Sequence, residues 1–336
     1  PRFSFAALAL FSGFLFARCH APGADKVPDL RLHLGDEIQS FAWDVDWLKM
    51  PEGMALGNTH GGIAVDRSGK VYFSTDSEHA IVICSSDGEI TQTWGEELAG
   101  GVHSLCLVEE EGSEYIYLAH HSTGQIYKYT TGGEKIWQMG YPQESNLYPD
   151  PSKYHPTAVA VRPDGCFYVA DGYGLGWVHF YDAERNYQHS FGGPGVDSGK
   201  FTTPHGLLWD EYRGQSRLLV ADRENHRLQF FHPDGTFDRM IVGHFRRPCS
   251  VQRKGDQLLV ADLAGRVTIV DEATNRVLQL GDQPDPALRA QNGVPREQWE
   301  YGAFLSPHFA AWDSQGNIYV QDWNFLGRIT RLERLP

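Results

Sequence analysis

The 336-residue chain is acidic, since 29 lysines and arginines stand against 43 aspartates and glutamates and give a formal net charge of −14. This charge, without any cluster of basic residues, excludes the electrostatic attraction by which basic proteins hold nucleic acid or anionic membrane surfaces. Hydrophobic residues make up 41% of the chain and charged residues 21%, which is typical of a globular protein with a large core.

The first 25 residues are predicted to be a targeting segment. Residues 3–17 are mostly apolar, follow Arg2, and form a run too short to cross a bilayer comfortably. This pattern is typical of a secretory signal peptide, so we expect an exported protein, periplasmic or extracellular, with no membrane span. The folded domain is then expected to cover residues 26–336.

The rest of the chain repeats one pattern six times, at intervals of roughly 40 to 55 residues. Each copy contains a turn and a short run in which apolar and polar residues alternate, as expected for antiparallel strands joined by tight loops. The copies include residues 66–73, 115–119, 162–171, 217–222, 257–262 and 313–322. Strand-built repeats of this length predict an all-β fold, a six-bladed β-propeller, rather than two ordinary domains.

The N-terminal strand is predicted to close this ring. Residues 31–35 are similar to residues 277–281, which close the fifth repeat as its fourth strand. The last repeat ends near residue 335 after only three strands. A strand from the N-terminal end that completes the last blade would remove the open edges of the ring.

Five cysteines are an odd number for an exported protein. Cys84, Cys106, Cys166 and Cys249 each lie within or beside predicted strands of different repeats. We therefore interpret them as small buried hydrophobic residues rather than as a disulfide framework.

Histidines recur at one position of the repeat. The first strands, which are expected to line the central channel, begin at about Gly61, His103, Thr157, His205, Cys249 and His308. Histidine takes this position in alternate blades, at intervals of 102 and 103 residues, so a six-bladed ring places three imidazoles at threefold-related points around one mouth. Three converging imidazoles are a suitable donor set for zinc, with a fourth position open for water or substrate. The regular placement favours a metal site over three structural histidines.

The loops that follow the second strands are expected at the same mouth, because adjacent strands are antiparallel. They carry Asp76, His120, Tyr173 and Arg223. Aspartates here also suit turns, in which they bond nearby backbone N–H groups. A tyrosine beside a metal can act as a base or acid, and an arginine can hold a carboxylate with two hydrogen bonds. A stacked surface aromatic and a salt bridge between blades would explain the last two residues equally well.

His60 lies in a turn just before the first strand of blade one. We predict that it contacts substrate at the rim of the mouth, together with His120, Asp76 and Arg223. His60 and His120 would also be able to act as further metal ligands and so close the site.

Two stretches of the chain carry a family resemblance. Residues 155–180 and 199–230 resemble the peptidyl-α-hydroxyglycine α-amidating lyases, a family within the NHL-repeat propellers. The most specific motifs are Pro204-His205, Ala-Asp-Arg-Glu-Asn at residues 221–225, and Ser-Pro-His at residues 306–308. The likeness is close in blades three and four and looser over the other blades.

The resemblance implies a site and a reaction. It implies zinc bound by His103, His205 and His308. It also implies that Tyr173 is the catalytic base and that Arg223 binds the substrate carboxylate or, as a catalytic residue, stabilises developing negative charge. The implied enzyme is a metal-dependent carbon–nitrogen lyase, which cleaves a carbinolamide-type carbon to give an amide and an aldehyde acid.

The chain departs from the family at several positions. A further functional arginine of the family falls near Thr75 and Asp76, where an acid stands instead. Phe309 replaces an aspartate that the family uses for calcium, which argues against calcium in this chain. Cysteines of the family are replaced at Gly174, Leu219 and Phe230. The natural substrate is therefore open.

Two functions from different classes remain at this point. One is a secreted zinc-dependent lyase that acts on a small molecule or peptide, with a hydrolase that uses zinc-bound water as a variant. The other is a non-catalytic NHL-repeat binding propeller with a structural metal, because a fold alone does not determine function. An open coordination position with Tyr173 within reach favours the lyase. In both cases we expect a monomer.

Overall fold

The computed structural model describes residues 31–336, and the predicted signal peptide at residues 1–25 lies outside the described residues. Between residues 31 and 336 the chain forms 25 β-strands and six short 3₁₀ helices. Within this part of the chain, no helix has the length and apolar character that a membrane crossing requires.

The strands form six antiparallel sheets, which are the blades of a propeller. The first two strands are β1 (His33–Gly35) and β2 (Ser40–Asp44). Blade one consists of β3 (Ile63–Val65), β4 (Val71–Ser74), β5 (Ile81–Cys84) and β6 (Ile90–Trp94). Blade two consists of β7 (Val102–Glu110), β8 (Ser113–His120), β9 (Gln125–Thr130) and β10 (Lys135–Met139). Blade three consists of β11 (Ala158–Val161), β12 (Phe167–Ala170), β13 (Trp177–Tyr181) and β14 (Tyr187–Gly192).

Blade four consists of β15 (Pro204–Tyr212), β16 (Gln215–Asp222), β17 (Arg227–Phe231) and β18 (Phe237–Ile241). Blade five consists of β19 (Pro248–Lys254), β20 (Gln257–Asp262), β21 (Arg266–Asp271) and β22 (Arg276–Leu280). Blade six consists of β23 (Pro307–Trp312), β24 (Ile318–Asp322) and β25 (Arg328–Arg334), followed by β2 and β1. The 3₁₀ helices are Glu96–Leu98, Gln143–Ser145, Pro151–Lys153, Arg223–Asn225, Pro286–Leu288 and Arg296–Gln298. The predicted all-β, six-bladed propeller is confirmed.

Blade six is closed by a strand from the N-terminal end, as predicted, but the closing strand is β2 rather than residues 31–35. β2 pairs antiparallel with β25, and β1 pairs with β2 as a fifth, outer strand. Phe41 and Trp43 of β2 are fully buried in the core between blades five and six, whereas β1 is largely exposed. The strand with more apolar surface to bury therefore takes the inner place.

The first strands of neighbouring blades approach closely around the axis. A Cβ atom on Gly206 of blade four would come within 2.4 Å of the Cys249 carbonyl oxygen of blade five. A Cβ atom on Gly62 of blade one would come within 2.3 Å of the Leu105 backbone nitrogen of blade two. Glycine at these two positions lets the strands form a narrow hub.

A channel of about 250 Å³ runs through this hub and is lined by all six first strands. Its lining includes the apolar residues Ile63, Leu105, Val159, Leu207 and Val251 together with polar residues such as Ser104 and Gln252. Hydrophobic clusters between adjacent blades surround it and hold the ring together. The starts of the first strands consequently meet at one end of the channel.

Candidate metal centre

Three histidines meet at this end of the channel. His103, His205 and His308 lie near the starts of β7, β15 and β23, each within the first two residues of its strand. Their ring centroids are 4.6 Å (His103 to His205), 4.7 Å (His205 to His308) and 4.9 Å (His103 to His308) apart. All three side chains are buried. The structure thus brings the three predicted ligands together in a nearly equilateral triangle.

Backbone carbonyls hold each of these rings in one orientation. The Nδ1 atom of each histidine faces a carbonyl oxygen of the next blade. The pairs are His103 with Thr157 at 2.8 Å, His205 with Cys249 at 2.8 Å, and His308 with Gly61 at 3.3 Å. A carbonyl oxygen can only accept, so Nδ1 carries the hydrogen and Nε2 keeps its lone pair.

The Nε2 atoms are suitable metal donors. Those of His103 and His308 are buried and have no hydrogen-bond partner in the described chain. A buried acceptor left in this state costs about 1–3 kcal/mol, which a metal bond would remove. Metal-bound histidines typically donate their other ring N–H to a carbonyl or carboxylate, as these do. The donor set therefore fits a zinc ion.

Two more donors lie beside the triangle. The His60 ring centroid is 5.0 Å from that of His103 and 4.9 Å from that of His308. Within the described residues, ligand atoms that all lie within 4.8 Å of one another form two sets, His60 with His103 and His308, and His205 with Cys249 and His308. His103 and His205 fall in different sets, so their ligand nitrogens would have to move closer together to bind one ion.

These imidazoles are neutral near pH 7. Burial is the main reason that the pKa values of His103, His205 and His308 lie well below their ordinary value, and neighbouring histidines or Arg223 lower them further. Burial also lowers the pKa of His60 to about 3. Neutral imidazole is the form that binds a metal ion.

A tyrosine and an arginine adjoin the triangle. The Tyr173 hydroxyl lies 3.2 Å from His205 Nε2 and accepts a hydrogen bond of 3.1 Å from Arg223 Nη1. Since Nε2 has a lone pair, the hydroxyl donates to it. Burial raises the pKa of Tyr173 while Arg223 opposes the rise, so the phenol is protonated in this arrangement.

Arg223 is also part of a charged group at the rim. Its Nε atom donates to Glu224 Oε1 at 2.8 Å, and Arg247 Nη2 donates to the same oxygen at 2.7 Å. Two guanidinium groups and one carboxylate leave this side of the mouth with one net positive charge. It is therefore suited to an anionic group of a ligand.

The aspartates at the ends of the second strands have a structural role. Asp171, Asp222, Asp262 and Asp322 are buried, and each accepts a backbone N–H from the loop that leads into the first strand of its own blade. The donors are His155 at 2.7 Å, Thr202 at 2.8 Å, Arg246 at 2.9 Å and Ser306 at 2.8 Å. This is the turn chemistry expected for this aspartate series.

His120, which is predicted to contact substrate, lies at the equivalent position of blade two and bonds within the loop that follows β8. It ends β8 as Asp222 ends β16, is buried, and accepts the backbone N–H of Thr123 at 3.3 Å. The next residue, His121, reaches the site instead, with its ring centroid 5.7 Å from that of His103. The sequence contains the signal for His121, because it follows the strand end as Arg223 does.

Asp76 stands at the rim in blade one. Its Oδ2 atom accepts a hydrogen bond of 2.6 Å from Asn58, while its Oδ1 atom is buried without a partner in the described chain. Burial raises the pKa of this carboxyl group. Asp76 thus bonds to Asn58, two residues before His60, rather than to a histidine of the triangle.

The chain is similar to two groups of known proteins, although no protein-family model matches it. It is 24% identical over 273 residues to NHL repeat-containing protein 3 of Mus musculus, covering 74% of this chain and 77% of that protein. It is 26% identical over 199 residues to a probable peptidyl-alpha-hydroxyglycine alpha-amidating lyase of Caenorhabditis elegans, covering 53% and 54%. It is 26% identical over 262 residues to peptidyl-alpha-hydroxyglycine alpha-amidating lyase 1 of Drosophila melanogaster, covering 70% and 45%.

The match spans about half the length of each of these two lyases. Among solved structures, a streptogramin B lyase superposes with a TM-score of 0.60 at 14% identity, covering 89% of this chain and 99% of that one. This second likeness shows the fold alone. The predicted resemblance to NHL-repeat propellers and α-amidating lyases is confirmed by the sequence matches.

Proposed function

We propose that the protein is an exported, zinc-dependent lyase that cleaves the carbon–nitrogen bond of a carbinolamide-type substrate. The observation that carries this proposal is the line of contacts from Arg223 through the Tyr173 hydroxyl to His205 in the histidine triangle. It combines a cation, a proton-transfer group and neutral imidazoles in one buried site. The similarity to amidating lyases supports the same reaction.

His103, His205 and His308 would hold the zinc ion through their Nε2 atoms. A zinc ion in this place would supply Lewis-acid polarisation of a substrate hydroxyl. Phe309, at the position of the family's calcium ligand, offers no oxygen side chain and packs against His308 and the core between blades six and one. Calcium is therefore not part of the proposal.

Tyr173 would take the proton of the substrate hydroxyl. An imidazole nitrogen has one lone pair, so a metal and the Tyr173 hydroxyl compete for His205 Nε2. A metal on this nitrogen would release the hydroxyl, whose proton would pass to solvent, and the resulting phenolate would be the base. Arg223, which donates to the same oxygen, would stabilise the negative charge when the phenol is deprotonated.

The bond changes then balance. The hydroxyl proton passes to Tyr173 as the carbon–oxygen bond becomes a carbonyl. The carbon–nitrogen bond would then break, and the nitrogen would take this proton from Tyr173 to give an amide beside an aldehyde acid. Arg223 and Arg247, with Glu224 between them, would attract the carboxylate of such a substrate.

One observation favours the alternative of a binding propeller with a structural metal. The His60 ring centroid lies 5.0 Å from that of His103 and 4.9 Å from that of His308. One ring nitrogen of each of these three histidines lies within 4.8 Å of the other two. A bond from His60 to the metal would fill the position that a substrate needs.

The test combines metal content with activity. We expect the purified mature chain to contain about one zinc per molecule and to convert an α-hydroxyglycine peptide to its amide until a chelator is added. His205→Ala should lose both properties. His232→Ala is the matched control, since this histidine lies in the same blade with its side chain 42% exposed.

The outcomes separate the two functions. Zinc that depends on His205 without any turnover would support the binding propeller. Absence of metal from both wild type and control would remove the basis of the proposal.

A further inference from the structure

We infer that Cys249 is a ligand of the same metal, so that the centre has a mixed imidazole and thiolate donor set. The inference rests on the metal centre of the proposed function and not on its reaction, because with Cys249 as the fourth protein ligand the substrate hydroxyl of that reaction would have to enter as a fifth. It concerns the blade between two of the histidines.

Cys249 occupies the histidine position of blade five. It is the second residue of β19, as His205 is of β15 and His308 is of β23. The equivalent positions of the other odd-numbered blades are Gly61, which has no side chain, and Thr157, whose hydroxyl donates to the Pro204 carbonyl. Of these three equivalent positions in the odd-numbered blades, Cys249 is thus the one whose side chain offers a free metal donor at the mouth.

Its sulfur lies close enough to share an ion. The Sγ atom and the ligand atoms of His205 and His308 all lie within 4.8 Å of one another. Donors at zinc distances of about 2.0–2.3 Å in a tetrahedral arrangement are separated by roughly 3.3–3.6 Å. The required approach is on the order of 1 Å, which small side-chain rotations can supply.

The surroundings of this thiol differ from those of a core cysteine. Cys84 packs among Val82 and Phe73 in the core between blades six and one. Cys249 is equally buried, yet among residues 31–336 it belongs to none of the hydrophobic clusters between blades. It is a free thiol, and beside it lies the buried Nε2 atom of His308, which has no partner in this part of the chain.

The backbone of Cys249 is already fixed for this task. Its carbonyl accepts the Nδ1–H of His205, and Gly206 approaches it so closely that no side chain would fit there. The residue therefore orients one ligand through its carbonyl oxygen and presents a second donor through its sulfur. Outer hydrogen bonds of this kind position the ligands of metal sites.

Cobalt spectroscopy of the full chain tests the inference without reference to activity. Co²⁺ bound to the wild-type protein should give visible ligand-field bands together with an intense near-ultraviolet sulfur-to-cobalt charge-transfer band. Cys249→Ser should lose the charge-transfer band completely while it keeps the ligand-field bands. Cys84→Ser, the matched buried control, should keep both.

Each result has a clear meaning. Ligand-field bands without charge transfer in the wild type would overturn the role of Cys249 and leave the histidine site intact. No bound cobalt in the wild type would overturn both the inference and the metal centre of the proposed function. The wild-type spectrum decides between these outcomes even if Cys249→Ser fails to fold. Lyase turnover, measured separately, bears on the reaction and not on this ligand.

Discussion

Replacing Tyr173 by phenylalanine should tighten zinc binding while it stops turnover. The Tyr173 hydroxyl donates to His205 Nε2 at 3.2 Å and so occupies the lone pair that a metal needs. A neutral hydrogen bond contributes about 0.5–1.5 kcal/mol net, so its removal should strengthen zinc binding by roughly 2- to 12-fold. Turnover should fall by about 10²–10⁴-fold, the usual contribution of a positioned general base.

Two assays on Tyr173→Phe measure these opposite effects. Zinc affinity is measured by titration of the metal-free protein against a competing chromophoric chelator at pH 7. Activity is measured as amide formation from an α-hydroxyglycine peptide at saturating zinc. Tyr168→Phe is the matched control in the same blade, because this hydroxyl bonds to the Pro233 carbonyl and not to a histidine.

The control should change neither zinc affinity nor turnover by more than about twofold, because Tyr168 is buried in the core between blades three and four, and separate sites without shared partners act independently within about 0.5 kcal/mol. If Tyr173→Phe bound zinc with wild-type or weaker affinity while folded, the hydroxyl would not compete for His205. The assignment of the lone pair to Nε2 would then be wrong.

Two further predictions concern a rim arginine and a buried histidine. Arg223→Lys should keep its zinc but lose about 10- to 100-fold in kcat/KM, since lysine cannot bond to Tyr173 and Glu224 through one planar group and charged hydrogen bonds contribute about 1.5–3 kcal/mol. Unchanged kinetics of this variant would show that the guanidinium geometry is not used. Burial lowers the pKa of His179 to about 3. The contribution of its neutral imidazole to folding stability is therefore complete above about pH 6.5, the pKa in the unfolded state, and is lost as the pH falls towards 3. Denaturant unfolding at pH 7 and pH 5 should therefore show about 2 kcal/mol less acid sensitivity in His179→Gln than in wild type, and equal losses in both would contradict this reasoning.

The histidine triangle could be predicted from the sequence because a propeller converts spacing along the chain into angle around an axis. Histidines placed two repeats apart at one register position must converge if the ring has six blades. The antiparallel strands placed the loops of Tyr173 and Arg223 at the same mouth, and a family resemblance then assigned the roles of these two residues. The distances that join them to His205 required the structure, because loop conformation is not periodic.

The structure differs from the sequence predictions at three places. His120 and His121 are adjacent and chemically identical, and only the end of β8 decides which one stays in the loop scaffold and which one faces the site. Cys249 was interpreted as a hydrophobic residue because sequence does not show whether a buried thiol faces carbon or nitrogen atoms. Residues 31–35 were predicted to close blade six because they are similar to residues 277–281. β2 takes this place instead because Phe41 and Trp43 bury more apolar surface there.

The carbonyl bonds to the three rings link the site to the whole ring of blades. Even-numbered blades supply the imidazoles, and odd-numbered blades supply the oxygens that orient them. An ion at this point would act as a cross-brace, because separating any two neighbouring blades at the hub would disturb a ligand. His308 belongs to blade six, which is closed by the pairing of β2 with β25. This strand pairing and the bound ion would therefore both oppose opening of the ring. Hydrogen exchange of the backbone amides of β2 and β25, far from the axis, would then be slower when the metal ion is bound at the hub.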